Sequence, residues 1–348
     1  VLVGKNGSGK TSVLDAISVF LNSITKGDDP NELIGYIEGT RERIQRRTKE
    51  GKEDEVLQEE DLLKRCNAQY LKSTAGVWLD LNTSFVKIRN QFEAGQFVVS
   101  YYKADRVFSS IEPKHVEKVQ LKSDYAIDET PREEFIKYLL DLKMTQALAI
   151  SGGKMDKADT IRIWFEKFDD LLKIIFNDKS VRLEFDEETF KFSIVMDERE
   201  PFDFNTLSSG YAAILDIVVD LIIRMEKQLN RSFDFAIPGI VLIDEIDMHL
   251  HPKWQWNIID SLRKTFPNVQ FIATTHSPIL FASAKDVWII DIEEAEYQYG
   301  YSHYGMDINT ALQAYQNTTQ IPEEVQKRVN QFYDALDEED YGEAKQIL

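Results

Sequence analysis

One cysteine in 348 residues, Cys66, excludes a disulfide framework and suits a reducing cytosol. Long hydrophobic runs are missing too: no stretch approaches the roughly 20 consecutive apolar residues of a membrane-spanning helix, and no signal peptide is visible. Basic charge is in deficit. With 41 Lys and Arg against 60 Asp and Glu, the formal charge is −19, which argues against a surface coated with nucleic acid, because Lys and Arg drive contact with phosphates. The one dense basic cluster, Arg41, Arg43, Arg46, Arg47 and Lys49, is followed by the acidic run Glu53 to Asp61 and reads as a solvated helix with ion pairs within it. No heptads are sustained, which excludes long coiled coils. His249 and His251 have no matching Cys or carboxylate set for zinc, and nothing after Pro278 supplies the clustered carboxylates of a metal-dependent phosphodiesterase. There is no initiator Met: Val1 enters directly into a strand, and Lys345 to Leu348 stop within a helical pattern. We therefore expect a first β-region upstream of this stretch and a helical tail downstream.

What is present begins at the first residue. Val1-Leu2-Val3, three apolar β-formers, run into Gly4-Lys5-Asn6-Gly7-Ser8-Gly9-Lys10-Thr11, a full match to the phosphate-binding loop G-x-x-x-x-G-K-[ST]. Glycines at 4, 7 and 9 allow a tight turn whose N–H groups face a phosphate chain. Lys10 is then placed to reach the β- and γ-phosphates of ATP and the Thr11 hydroxyl to sit on Mg²⁺. A helix from about Ser12 to Leu21 follows, with Val13, Leu14, Ile17, Phe20 and Leu21 on one face and a dipole that favours anions at its start.

The apolar fraction of 43% supports a large core, as one domain with insertions or two smaller ones. The pattern divides the chain into a core start (1–27), a helical insertion (28–71), a β-rich part (72–130), a helical subdomain (131–180), the rest of the core (181–300) and an acidic helical end (301–348). Strands are expected at Val77–Leu81, Ser84–Ile88 and Gln96–Tyr102, and a hairpin at Val181–Phe185 and Phe190–Ile194. Helices are expected over Pro131–Ile150, about Lys157–Phe176 and Ser208 to about Gln228. After Gly305 helices recur, with Ile308, Leu312 and Tyr315, then Val325, Val329, Phe332, Tyr333 and Leu336 at apolar positions. Buried strands at Ile240–Ile243, Val269–Ala273 and Asp286–Asp291 alternate with helices, the mark of a mostly parallel sheet covered on both faces.

Ile240-Val241-Leu242-Ile243 ends in Asp244-Glu245, a pair that completes a nucleotide-hydrolysis site: Asp244 for the Mg²⁺ shell and Glu245 to orient and deprotonate the attacking water. His276, in Thr274-Thr275-His276-Ser277-Pro278, ends a neighbouring strand at the sheet edge where ligands bind, within reach of a γ-phosphate. Leu207-Ser208-Ser209-Gly210-Tyr211 opens the long apolar helix and reads as a second anion site and as a helix cap.

Phosphate loop, large insertion, LSxG signature, strand-Asp-Glu, a following Asp and a switch His occur here in the order of the ABC-type ATPases. The wording DEIDMHLHP followed by TTHSP resembles the non-transporter branch of RecF, Rad50, SMC and OLD-type proteins. Phe204 to Tyr211, Tyr101-Tyr102-Lys103-Ala104-Asp105-Arg106 and the acidic tail are most similar to the PtuA-like AAA-family ATPases of the Septu and retron anti-phage systems. The resemblance implies an α/β fold: a P-loop NTPase of the ABC-ATPase head type, with a mostly parallel sheet, an added antiparallel β part and helical insertions. It implies that Gly4, Lys5, Asn6, Gly7, Ser8, Gly9, Lys10, Thr11 and Ser12 hold ATP, that Thr11 and Asp244 hold Mg²⁺, and that Glu245 and His276 are catalytic. Asp247 is the implied D-loop, and Ser208, Ser209 and Gly210 contact ATP bound to a partner protomer. Two departures stand out: the signature ends in Gly-Tyr, and no Gln stands at the Q-loop, for which the strand end Lys103 to Arg106 is the substitute. The implied role is a cytoplasmic ATPase that forms a homodimer or larger homo-oligomer and gates an HNH-type nuclease, with DNA or reverse-transcribed nucleic acid as a further partner and no membrane. Alternatives are a RecF- or Rad50-like repair ATPase, the ATPase part of an OLD-type nuclease, or a transporter subunit.

Overall fold

The computed structural model of the chain describes all residues except 6, 107, 114, 284, 295, 300–303, 317–321, 338–340 and 348. In chain order the elements are β1 (Leu2–Val3), α1 (Lys10–Lys26), α2 (Pro30–Lys49), α3 (Glu53–Thr74), α4 (Phe85–Glu93), β2 (Val98–Tyr102), α5 (Phe135–Ser151) and α6 (Met155–Phe176). There follow β3 (Arg182–Phe185), β4 (Phe192–Val195), α7 (Ser209–Leu229), β5 (Gly239–Ile243), α8 (Pro252–Gln255), α9 (Ile258–Thr265) and β6 (Val269–Ala273). The last are α10 (Pro278–Ser283), β7 (Trp288–Asp291), β8 (Glu296–Tyr299), α11 (Ile308–Gln316), α12 (Glu323–Asp337) and α13 (Tyr341–Ile347). Two compact units result: Gly9–Thr275, and Val1–Ser8 together with His276–Leu348.

In the larger unit β2, β5 and β6 form a parallel sheet with β5 in the middle, Tyr102 paired to Ile243 and Ile243 to Ala273. β5 is buried along its whole length, as a central parallel strand must be. α7 is buried almost all round, which explains its near-continuous apolar sequence. The hairpin of β3 and β4 is antiparallel, Arg182 facing Val195 and Phe185 facing Phe192. In the smaller unit β1 pairs in parallel with β7, and β8 closes that sheet antiparallel; Val3, Ile289 and Ala311 form its core. Mostly parallel strands, an antiparallel addition and helical insertions make this the α/β fold of a P-loop NTPase.

Three expectations are corrected. Ser84–Ile88 is helical: Ser84 Oγ caps α4 by accepting the Lys87 N–H at 3.3 Å, Phe85, Ile88 and Phe92 are its buried residues, and Phe85 and Ile88 pack against Phe20 and Ile24 of α1. Val77–Leu81 forms no strand. Its alternating Val77, Leu79 and Leu81 pack on that same cluster, and the Trp78 ring stands edge-on to Phe20 and Phe85, so tertiary packing takes the place of a sheet partner. The 72–130 stretch therefore carries one strand, β2, among the described residues. The basic cluster is solvated and ion-paired, but its pairs run between helices: Arg43 and Arg47 of α2 meet Glu59 of α3 at 3.1 and 3.2 Å, and Arg47 also meets Glu55 at 3.4 Å. The side chain of Tyr315 lies outside the described set. No helix among the described residues is long and apolar enough to cross a membrane.

Candidate functional site

The glycine loop has the backbone its sequence calls for. Gly4, Gly7 and Gly9 all take positive φ, at 139°, 82° and 92°, where a side chain would be strained. In the smaller unit Lys5 is tied to Glu293, its N–H at 2.9 Å and its ammonium at 3.1 Å, and the Ser8 N–H turns back to the Lys5 carbonyl at 3.3 Å. Asn6 lies outside the described residues. Lys10 opens α1 and is buried, whereas Thr11 and Ser12 are exposed.

The larger unit brings Thr11 and Asp244 together. β5 carries its ladder one residue further, the Asp244 N–H bonding to the Tyr102 carbonyl at 2.8 Å, which sets the carboxylate at the strand end. Thr11 Oγ1 donates to Asp244 Oδ2 at 2.9 Å, and Thr274 Oγ1 donates to Oδ1 at 2.6 Å. Thr274 also accepts the Glu245 N–H at 2.7 Å. Glu245 is left-handed, with φ 46°, at the start of a tight reversal in which the Met248 N–H bonds its carbonyl at 3.0 Å. Asp247 accepts a hydrogen bond from the Thr275 hydroxyl.

Ser208 precedes α7, and Ser209 and Gly210 form its first residues. A Cβ on Gly210 would lie 2.9 Å from the His249 carbonyl oxygen, so this glycine lets the loop after Asp247 approach the helix start. Tyr211, the departure at the signature's end, stacks on Phe176 with ring centroids 4.2 Å apart and meets Trp254 edge-on at 5.2 Å. It is a packing residue. His251 accepts the Lys253 N–H on Nδ1 at 3.2 Å, a cap on α8, and among the described residues no group of three or more His, Cys, Asp or Glu could hold a metal. His276 is the first residue of the smaller unit's second segment.

Three groups do more than the sequence patterns announce. Thr274 and Thr275 stood in view beside His276, a hydroxyl pair directly after a strand, and hold both neighbouring carboxylates. Arg106, in the segment expected to replace the Q-loop, is buried and donates to the carbonyls of Asp244 at 2.7 Å and Glu245 at 2.9 Å. α7 hides Asp216, Asp220, Arg224 and Glu226 in its apolar run. Burial pushes the Asp216 carboxyl up to about 6 despite the Arg132 guanidinium against it. Tyr101 donates to Asp15 at 3.0 Å, and burial followed by that carboxylate pushes its hydroxyl well above the usual range, so it stays a neutral donor.

Within the larger unit, a left-handed Gly9 opening α1, a helix-start hydroxyl bonded to the carboxylate at a central strand end, and a glutamate directly after it are the features of an ABC-type P-loop ATPase. The chain belongs to the family described as "AAA domain, putative AbiEii toxin, Type IV TA system", whose model matches residues 27–282. Similar proteins include "Retron Vc95 probable ATPase" of Vibrio cholerae serotype O1 biovar El Tor, 44% identical over 27% of this chain and 18% of that protein. "Septu protein PtuA" of Bacillus mycoides (strain KBAB4) is 42% identical over 27% of this chain and 13% of that protein. "Retron Ec83 probable ATPase" of Escherichia coli is 46% identical over 24% and 16%. The matched stretch thus spans less than a fifth of each of these relatives. Among solved structures, an SMC head bound to the C-winged helix domain of ScpA is similar at TM-score 0.31 and 15% identity, over 48% of this chain and 52% of that one.

Proposed function

We propose that the chain binds ATP with Mg²⁺ and hydrolyses it, as the ATPase subunit of a defence complex related to the Septu and retron systems. The observation that carries this reading is the convergence of Thr11 and Asp244 beside buried Lys10. One hydroxyl and one carboxylate are hard oxygen donors and too few for an all-protein cage, which fits an ion that keeps waters and substrate phosphates. Thr11 and Asp244 would hold Mg²⁺, which when bound supplies charge neutralisation on the phosphoryl oxygens. The backbone of Gly4 to Gly9 would wrap the phosphates, Lys10 would neutralise the β- and γ-oxygens, and Ser12 would close the segment. Glu245 would take the proton of the attacking water, with His276 at the γ-phosphate.

Dimerisation follows from the same reading. Ser208, Ser209, Gly210 and Asp247 would complete the ATP site of a second copy, so that ATP acts as a ligand of the closed assembly and turnover reopens it. The helices of 28–71 and those after residue 301 lie outside the ATP residues and would present the surface for an effector, an HNH-type nuclease, with this chain gating and not cutting DNA itself. The experiment is ATP binding by Lys10→Ala, which should be abolished; unchanged affinity would sink the ATPase assignment. For the partner, DNA cleavage is assayed with this chain alone and with its neighbouring gene product. Robust metal-dependent cleavage by this chain alone would refute the gating role.

A further inference from the structure

Arg106 lies in the loop after β2 with 7% of its surface exposed. Its two terminal nitrogens are spent on backbone, while its buried Nε has no hydrogen-bond partner among the described residues. Nη1 donates to the Lys103 carbonyl at 3.1 Å and the Asp244 carbonyl at 2.7 Å, and Nη2 to the Glu245 carbonyl at 2.9 Å, with the Ile246 carbonyl at 3.5 Å. Three successive carbonyls after β5 thus face one planar fork, an arrangement that an ammonium cannot reproduce.

The opposite ends of the same peptide groups are held by the strand-end threonine. In the peptide before the Glu245 Cα, the Asp244 carbonyl goes to Arg106 and the Glu245 N–H goes to Thr274 Oγ1 at 2.7 Å. In the peptide after it, the Glu245 carbonyl goes to Arg106 and the Ile246 N–H goes to the Thr274 carbonyl at 3.0 Å. Fixing both planes fixes φ and ψ of the residue between them. That residue sits at φ 46°, a left-handed conformation which a glutamate avoids unless its surroundings impose it. The direction of the Glu245 Cα–Cβ bond is a consequence of this clamp.

We propose that Arg106 is a positioning residue of the hydrolytic step, holding the two peptide planes that flank Glu245 so that its carboxylate keeps its aim at the attacking water. The inference rests on Glu245 being the general base. It differs from a Q-loop role because Arg106 grips main chain and acts through another residue.

The test is steady-state ATP turnover with an independent measurement of ATP binding. Arg106→Ala should lower kcat by about 10- to 100-fold, the cost of a catalytic group misplaced by about 1 Å, with ATP affinity within about threefold of wild type. Arg106→Lys should recover only part of the loss. Arg106 lines a cavity of about 700 Å³ shared with Tyr101, Arg132 and Asp216, which gives a small cation a way in. Millimolar guanidinium should therefore restore turnover to Arg106→Ala, whereas potassium chloride at equal ionic strength should not. In a Glu245→Gln background Arg106→Ala should cost nothing further. Wild-type kcat in Arg106→Ala, kcat and ATP affinity lost together, rescue matched by potassium chloride, or an additive loss in the double variant would each overturn the proposal. If Arg106→Ala does not fold, Arg106→Lys carries the same comparison of kcat with affinity. Turnover that persists in Glu245→Gln strikes at the base assignment; an inactive Glu245→Gln beside a fully active Arg106→Ala strikes at this proposal alone.

Discussion

Two clusters of buried charge in the Gly9–Thr275 unit are built on opposite terms. On α7, Arg224 Nε closes on Asp220 at 2.6 Å, and its remaining nitrogens bond the carbonyls of Val99, Tyr125, Ala126 and Glu129, while the Tyr102 hydroxyl donates to Asp220 at 2.8 Å. Cation and anion meet directly, and the cation's other donors are used on main chain. At the end of β5, neutral hydroxyls of Thr11 and Thr274 orient Asp244, and Arg106 touches the main chain of Asp244 and Glu245 through carbonyls. The first arrangement neutralises its charge and ties loops to a helix. The second orients the Asp244 carboxylate through hydroxyls and fixes the main chain of Glu245. Buried charge that is already matched builds the fold, whereas buried charge that is only oriented, at a chain reversal with left-handed backbone, marks a site.

The contrast breaks first at Glu245. Glu245→Gln keeps the shape but cannot act as the base proposed above, so ATP turnover should fall by about 10²- to 10⁴-fold while ATP stays bound and the unfolding midpoint stays put. Turnover at the wild-type rate would place the base elsewhere. The mirror experiment is Arg224→Met. Removing the cation takes the 2.6 Å ion pair from buried Asp220, which keeps the Tyr102 hydroxyl and Arg132 at 3.6 Å, and removes a donor from the carbonyls of Val99, Tyr125, Ala126 and Glu129, a loss of about 3–5 kcal/mol in denaturant unfolding. A loss below about 1 kcal/mol would mean that this network does not hold the loops.

The sequence made the second cluster half legible and the first almost invisible. Gly4 to Thr11 and Ile240 to Glu245 could be read because their signals are local: φ tolerance at fixed spacing, and an apolar run that ends in carboxylates. Arg106 could not, because a lone arginine after a strand does not say which carbonyls it will meet. On α7 the spacing of Asp216, Asp220 and Arg224, one charge every four residues inside an apolar helix, was an available signal that the hydrophobic pattern masked. Ser84 to Ile88 misled for a different reason: its β-branched and aromatic residues suit a strand, but the Ser84 cap and the Phe20 face of α1 decide for a helix.

Asp216 belongs to both clusters, standing on α7 against Arg132 and within the field of Arg106. Burial raises its carboxyl from 3.8 to about 6, so the folded protein binds this proton more tightly than the unfolded chain does. The stability it contributes is full below pH 3.8 and is lost as pH rises through about 6, by about 2–3 kcal/mol in all. Other carboxylates shift the opposite way, so the measurement is the pH dependence of wild-type unfolding free energy minus that of Asp216→Asn. The difference should fall between pH 4 and 6 and be flat above. A flat difference throughout would show that Arg132 already offsets the burial.

Gly210 joins the two regions, and the smallest effect belongs to it. It stands at the start of α7, against the His249 carbonyl of the loop that follows Glu245. Helix propensity alone says that Gly210→Ala should stabilise, by up to about 1 kcal/mol in an exposed helix interior. Contact geometry says the reverse, since the new Cβ would sit 2.9 Å from a main-chain oxygen that cannot rotate away as a side chain can. Overpacking of this kind costs about 1–3 kcal/mol, so the net change should be a loss of about 1 kcal/mol. Denaturant unfolding reads the sign directly. A loss shows that the loop after β5 is pressed on α7 and that the two clusters share one rigid joint. A gain would show that the loop yields, and then α7 and the Glu245 reversal must be treated as separate pieces.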